Sequence, residues 1–137
     1  MAIKLNDSTS ILSDLNVLVV DDQETMRKII RQLLKQAQIG NSFEAANGEE
    51  ALKFIENIHE PNPDVVICDL HMDGMDGMEF VHRMRRKKNQ TPILILTGDE
   101  DKFLREVTEQ AGATRILTKP ISAGDLAKEI SSAVGFG

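Results

Sequence analysis

A chain of 137 residues with 41% hydrophobic content is long enough for one domain with a sizeable core, and no apolar run approaches the roughly 18 residues of a membrane span. The net charge of −6, spread along the chain, argues against nucleic acid as the main partner, and without Trp or Tyr any base stacking would rest on five phenylalanines. The single cysteine, Cys68, excludes an intramolecular disulfide framework, and the start "MAIKLNDSTSILSDLN" lacks a secretion-signal pattern, so a cytoplasmic location is expected.

The first fifteen residues read as a polar extension of undefined structure. "VLVV" (17–20) is the first strand. From Met26, the apolar positions Ile29, Ile30, Leu33, Leu34 and Ala37 follow helical spacing. "SFEA" (42–45) reads as a weaker strand. Asn47 with Glu50 three residues on is a capping-box pattern, opening a helix that buries Ala51, Phe54, Ile55 and Ile58. "VVIC" (65–68) is the next strand. Asp76 and Glu79 form a similar pair ahead of Phe80, Val81 and Met84. "ILIL" (93–96) precedes a helix carrying Leu104, Val107 and Ala111, and "IL" (116–117) precedes one that begins near Ser122 and buries Leu126 and Ile130. The three strongest strands show no alternation, as expected of strands covered on both faces. Five β-α repeats therefore predict an open parallel sheet with helices on both faces. The expected domain spans residues 16–134, with 135–137 as a tail.

Ligands of such sheets bind outside the carboxyl ends of the strands. Strand one ends in Asp21 and Asp22, strand three in Asp69, strand four in Thr97 and strand five in Lys119-Pro120. One edge thus collects three carboxylates, a hydroxyl and an ammonium. Two carboxylates about 4 Å apart repel by roughly 4 kcal/mol at an effective dielectric near 20. Lys119 offsets one charge, and a divalent cation is the natural remedy for the rest. Hard oxygen ligands suit Mg²⁺, which would also neutralise an incoming phosphoryl group. A carboxylate is then a candidate nucleophile.

The segment "DLHMDGMDGMEF" (69–80) also comes close to a calcium-binding EF-hand loop. Position 3 of that loop is His71, a poor ligand for a hard cation, and position 12 is Phe80 where a bidentate carboxylate is needed. The segment before it reads as a strand, not as an entering helix. Cys68 reads as core, and His59 and His82 as surface residues. The basic run "RMRRKK" (83–88) reads as a solvated helix terminus.

"VLVVDD", "VVICDLHMDGMDG", "ILILTG" and "RILTKP", in this order and each at a strand end, resemble the motifs of the response-regulator receiver domain of two-component signalling. The resemblance covers residues 16–134, and "DDQETMRKIIRQLLK" is most similar to single-domain chemotaxis-type regulators. It implies a flavodoxin-like (βα)5 fold with strand order 2-1-3-4-5. It implies that Asp69 accepts a phosphoryl group from a histidine kinase or phosphotransfer protein. Asp22 is then the main carboxylate ligand of Mg²⁺, with Asp21 adjacent and Asp69 and the His71 backbone carbonyl completing the protein oxygens. Thr97 is the hydroxyl that turns to the phosphoryl group, and Lys119 pairs with its oxygens. Pro120 follows a cis peptide bond. Residues 71 and 99, here His71 and Asp99, occupy positions that tune phosphoryl lifetime. Asp73 and Asp76 shape the loop and cap the third helix, and Gly74 and Gly77 permit its turns.

Three positions depart from the family pattern. Asp73 stands where proline is usual, and is expected to point into solvent. Ile116 stands where the switch residue is usually Tyr or Phe. Arg105 lies where motor-binding regulators tend to be apolar. The expected function is a stand-alone regulator that is a phosphoacceptor and not an enzyme, assisting its own phosphotransfer and autodephosphorylation. Its output is expected to be an unidentified protein, with no nucleic acid and no membrane. Two rivals are a phosphorylation-independent binding module on the same fold and a Mg²⁺-dependent aspartyl phosphatase. The phosphatase wants a second acid at position 71, which holds His71, and has no room for a cap domain.

Overall fold

The computed structural model describes residues 12–135; residues 1–11 of the expected extension and 136–137 of the expected tail lie outside the described residues. Strands β1 (Asn16–Val20), β2 (Asn41–Ala45), β3 (Val65–Cys68), β4 (Ile93–Thr97) and β5 (Arg115–Thr118) form one parallel sheet in the order β2-β1-β3-β4-β5. Helices α1 (Glu24–Gln36), α2 (Gly48–Glu56), α3 (Gly77–Arg86), α4 (Lys102–Gln110) and α5 (Ala123–Ala133) alternate with the strands.

Both faces of the sheet are covered, which is why the central strands read as unbroken apolar runs. Val17, Val19, Ile67, Leu94 and Leu96 pack with Ile30 and Leu34 of α1 and with Leu126 and Ile130 of α5. Leu18, Val20, Val66, Ile93 and Ile95 pack on the other face with Ala51 and Leu52 of α2, Phe80, Val81 and Met84 of α3, and Leu104 of α4. The edge strand β2 is mostly exposed outside Ala45, which accounts for its weaker sequence signal.

The helices start where the cap chemistry lies. Asn47 accepts from Glu50 N–H at 2.8 Å, while Glu50 Oε1 reaches back to Ala46 N–H at 3.1 Å. Asp76 accepts from Glu79 N–H, and Ser122 from Asp125 N–H. Each such bond satisfies an otherwise orphaned helix N–H and contributes about 1 kcal/mol. Helix α1 has no side-chain cap, but Asp21 Oδ1 accepts from Gln23 N–H just ahead of it at 2.8 Å.

Three sequence expectations change. Packing begins before residue 16: Leu15 is buried and Leu12 lies against the α1–α5 face. The carbonyls of Leu12 and Leu15 accept from Gly40 and Asn41 N–H at 3.0 and 2.9 Å. A Cβ on Gly40 would sit 2.3 Å from Ser13 O, so this close approach requires glycine. Within the basic run, Arg85 is half-buried rather than solvated; it donates to the carbonyls of Gly112, Asn89 and Thr91. Ile58 lies beyond the end of α2 and is 90% exposed, so it is not part of that helix's buried stripe.

Candidate functional site

Sheet register builds the site. Val20 of β1 pairs with Cys68 of β3, so the residues that follow, Asp21 and Asp69, leave adjacent strands at the same level. The Asp69 N–H donates to Val20 O at 3.0 Å, fixing that alignment. This is also where strand order reverses, the crevice at which open α/β sheets bind ligands. Gly77, at the start of α3, lets the helix approach the acceptor strand: a Cβ there would lie 2.4 Å from Asp69 O.

Asp21, Asp22 and Asp69 each offer a carboxylate oxygen, and these oxygens lie within 4.8 Å of one another. Asp21 is buried, and its Oδ2 has no hydrogen-bond partner. Asp22 is partly exposed and accepts from the Asp73 N–H at 3.1 Å. Lys119 Nζ stands 3.5 Å from both Asp21 Oδ2 and Asp69 Oδ1. The Lys119–Pro120 peptide is cis. Burial pushes the Asp69 carboxyl above its ordinary range; Lys119 opposes this, Asp21 adds to it, and the Leu70 and His71 amides lower it. Burial also raises the Cys68 thiol, with Asp69 and Asp21 contributing, which keeps it an inert core group.

Thr97 is buried at the end of β4, and its Oγ1 accepts from Asp99 N–H at 3.1 Å. The His71 side chain is exposed. Its Nε2 meets Asp99 Oδ2 at 2.7 Å, joining the β3–α3 and β4–α4 loops. The Asp101 N–H and, after it, His71 hold the Asp99 carboxyl below its usual range. Ile116 is half-buried and packs against the α2–α4 side of the core. Asp73 is exposed and its carboxylate is not among the three clustered groups.

The family model of the response regulator receiver domain matches residues 17–131. The chain belongs to the response regulator receiver family. This receiver domain is 34% identical over 116 residues to the sensory/regulatory protein RpfC of Xanthomonas campestris pv. campestris, covering 82% of this chain and 15% of that protein. It is 33% identical over 121 residues to the positive alginate biosynthesis regulatory protein of Pseudomonas aeruginosa, covering 87% of this chain and 47% of that protein. The chain thus spans less than half the length of these curated relatives. Among solved structures, the chemotaxis protein CheY4 of Vibrio cholerae superposes with a TM-score of 0.75 at 31% identity, covering 87% of this chain and 98% of the other. A receiver domain from Clostridium thermocellum gives a TM-score of 0.80 at 28% identity, over 89% and 95% of the two chains.

Receiver domains are phosphoacceptors in two-component systems, take the phosphoryl group from histidine kinases or phosphotransfer proteins, and bind Mg²⁺ at an acidic pocket. The carboxylates of Asp21, Asp22 and Asp69 form an acidic cluster of the kind that pocket requires, and Lys119 offsets only part of their charge, so the buried Asp21 oxygen that accepts no hydrogen bond fits a metal ligand. Among the described residues, no helix is long and apolar enough to cross a membrane. Two groups beside the site escaped the sequence reading. Thr118 accepts from Arg105, and the Asp73 amide donates to Asp22. The first could be suspected only from its place beside Lys119; the second is a backbone group and leaves no signal.

Proposed function

We propose that this receiver domain is a Mg²⁺-dependent switch whose phosphoacceptor is Asp69. One observation carries the reading. Asp69 Oδ1 stands 3.5 Å from Lys119 Nζ inside a group of three carboxylates whose most buried member, Asp21, has an oxygen that accepts no hydrogen bond. That arrangement is unfavourable as it stands and becomes favourable when positive charge and a phosphoryl group enter together.

A carboxylate oxygen of Asp69 attacks the phosphorus of a phosphohistidine on the donor protein. The P–O bond to Asp69 forms as the P–N bond breaks, and the donor imidazole leaves with the electron pair and takes up a proton. Lys119 is placed to pair with a phosphoryl oxygen as charge builds. Thr97 is placed to turn its hydroxyl toward the product. Mg²⁺ held by Asp21, Asp22, Asp69 and the His71 carbonyl would supply the remaining neutralisation of the phosphoryl oxygens. Autodephosphorylation is the attack of water on the same phosphorus, and the His71–Asp99 contact at 2.7 Å lies across the loops that flank that approach. A cytoplasmic location belongs to this reading, since the donor is a kinase or phosphotransfer protein. The output partner is a protein that recognises the phosphorylated state.

Phosphate-affinity gel mobility after incubation with acetyl phosphate tests the acceptor. A Mg²⁺-dependent shift is expected for wild type and none for Asp69→Asn. Failure of wild type with both acetyl phosphate and a histidine-kinase donor overturns the reading. For the flanking pair, His71→Ala and Asp99→Ala are expected to change the dephosphorylation rate several-fold; rates equal to wild type in both would discard that role.

A further inference from the structure

Arg105 makes two hydrogen bonds that none of the roles above uses. Its Nε donates to the Asp99 carbonyl at 2.9 Å, and its Nη2 donates to Thr118 Oγ1 at 2.9 Å. One guanidinium on α4 therefore grips both the β4–α4 loop and the end of β5. Both acceptors lie one step from the site. The Asp99 N–H donates to Thr97 Oγ1, and the Asp99 carboxylate meets His71. Thr118 pairs with Thr97 across the sheet and precedes Lys119, whose N–H donates to Thr97 O at 2.8 Å.

We propose that Arg105 is a positioning residue that couples the orientation of the Thr97 hydroxyl to the exposed surface of α4 and β5. The proposal rests on the reading of Asp69 as phosphoacceptor. Turning Thr97 Oγ1 toward a phosphoryl group on Asp69 moves it away from the Asp99 N–H. A part-buried N–H that loses its partner is left desolvated and unsatisfied, so the 98–101 segment rearranges to recover one. Gly98 leaves it room, since a Cβ there would meet nothing within 4 Å. The Asp99 carbonyl moves with that segment, and Arg105 Nε is bound to it. A guanidinium is a rigid planar fork, so displacement at Nε also displaces Nη2 and disturbs the bond to Thr118. Ile116, the neighbouring β5 residue that packs on the core, has no polar atom with which to carry such a signal. The Arg105–Thr118 bond carries it on the exposed side of the strand.

Amide NMR of the full chain with Mg²⁺, with and without beryllofluoride, tests this on wild type, Arg105→Met and Thr118→Val. Beryllofluoride forms a tetrahedral, phosphoryl-like adduct on a carboxylate. In wild type the adduct is expected to shift amides at Asp69, Thr97 and Asp99, and also at Thr118 and along residues 102–110. In both variants the first group still shifts, while the shift at position 118 falls by half or more; along 102–110 the shifts fall by half or more in Arg105→Met, which breaks both bonds, and persist in Thr118→Val, which keeps the bond to the Asp99 carbonyl. Thr118→Val nearly conserves shape, so the test stands even if Arg105→Met unfolds. If Arg105 only tethers α4 to the sheet, the variants melt earlier but keep the full adduct-induced pattern, and that result overturns the proposal. If the wild-type amides at Asp69 and Thr97 do not respond at all, the phosphoacceptor reading fails and this inference falls with it.

Discussion

Two charged clusters sit on the same sheet and are built on opposite principles. At the β2 edge, Glu44 meets two guanidiniums: Arg27 Nε at 2.7 Å and Arg31 Nη1 at 2.5 Å. At the strand ends three carboxylates cluster, and two of them, Asp21 and Asp69, share Lys119. In the first cluster every charge has a partner, and the hydrogen bond from Arg27, joined by Arg31, holds the Glu44 carboxyl below its ordinary range although burial opposes it. In the second, negative charge exceeds positive, Asp21 Oδ2 is buried without a hydrogen bond, and Asp69 is pushed the other way. A balanced cluster on an exposed edge holds structure in place. An unbalanced one in a crevice holds a deficit that ligands can fill.

Filling the deficit should produce the largest effect. Mg²⁺ at 100 times its dissociation constant is expected to raise the thermal midpoint by on the order of 8 °C, the equivalent of about 2.7 kcal/mol. Asp22→Ala should remove most of that rise without lowering the metal-free midpoint comparably. A midpoint insensitive to Mg²⁺ in wild type would contradict the comparison at its root.

Removing one charge from the unbalanced cluster comes next. Without metal at pH 7, Asp69→Asn is expected to raise the midpoint by about 3 °C, roughly 1 kcal/mol. The folded pKa of Asp69 lies above its ordinary value of 3.8, so ionising it costs stability. That cost is complete above the folded pKa and disappears as pH falls through it toward 3.8. The gain from the mutation should therefore shrink in acid, as scanning calorimetry across pH would show. A destabilised Asp69→Asn would mean that Lys119 outweighs burial and Asp21.

The balanced cluster predicts a smaller change of opposite sign. Glu44→Gln should lower the midpoint by about 2 °C, since its two pairs are partly exposed and sit toward the low end of the roughly 0.2–1 kcal/mol such pairs contribute, and the glutamine carbonyl still accepts a hydrogen bond. Its folded pKa is below the unfolded value, so the stabilisation is present above the unfolded pKa and is lost as pH falls through the folded one. The penalty of Glu44→Gln should fade in acid too, but as a loss of stability in wild type rather than as relief. Parallel pH curves for the two variants would erase the distinction drawn between the clusters.

The sequence by itself determined the fold class and the composition of the site. Strands buried on both faces must be apolar throughout, so "VLVV", "VVIC" and "ILIL" stand out, and the polar groups that follow them mark one edge of the sheet. Caps such as Asn47, Asp76 and Ser122 are local chemistry and were legible where they stand. Tertiary structure decided everything that depends on which loop lies beside which. The Val20–Cys68 register sets Asp21 level with Asp69, packing leaves Asp21 Oδ2 without a hydrogen bond, and Arg105 finds Thr118 thirteen residues away. Arg85 turns inward, and Leu12 and Leu15 join the core, because carbonyls and apolar surface from distant segments meet them there. Spacing along a chain reports only its own element's faces; the field at a carboxylate is the sum over every element packed against it.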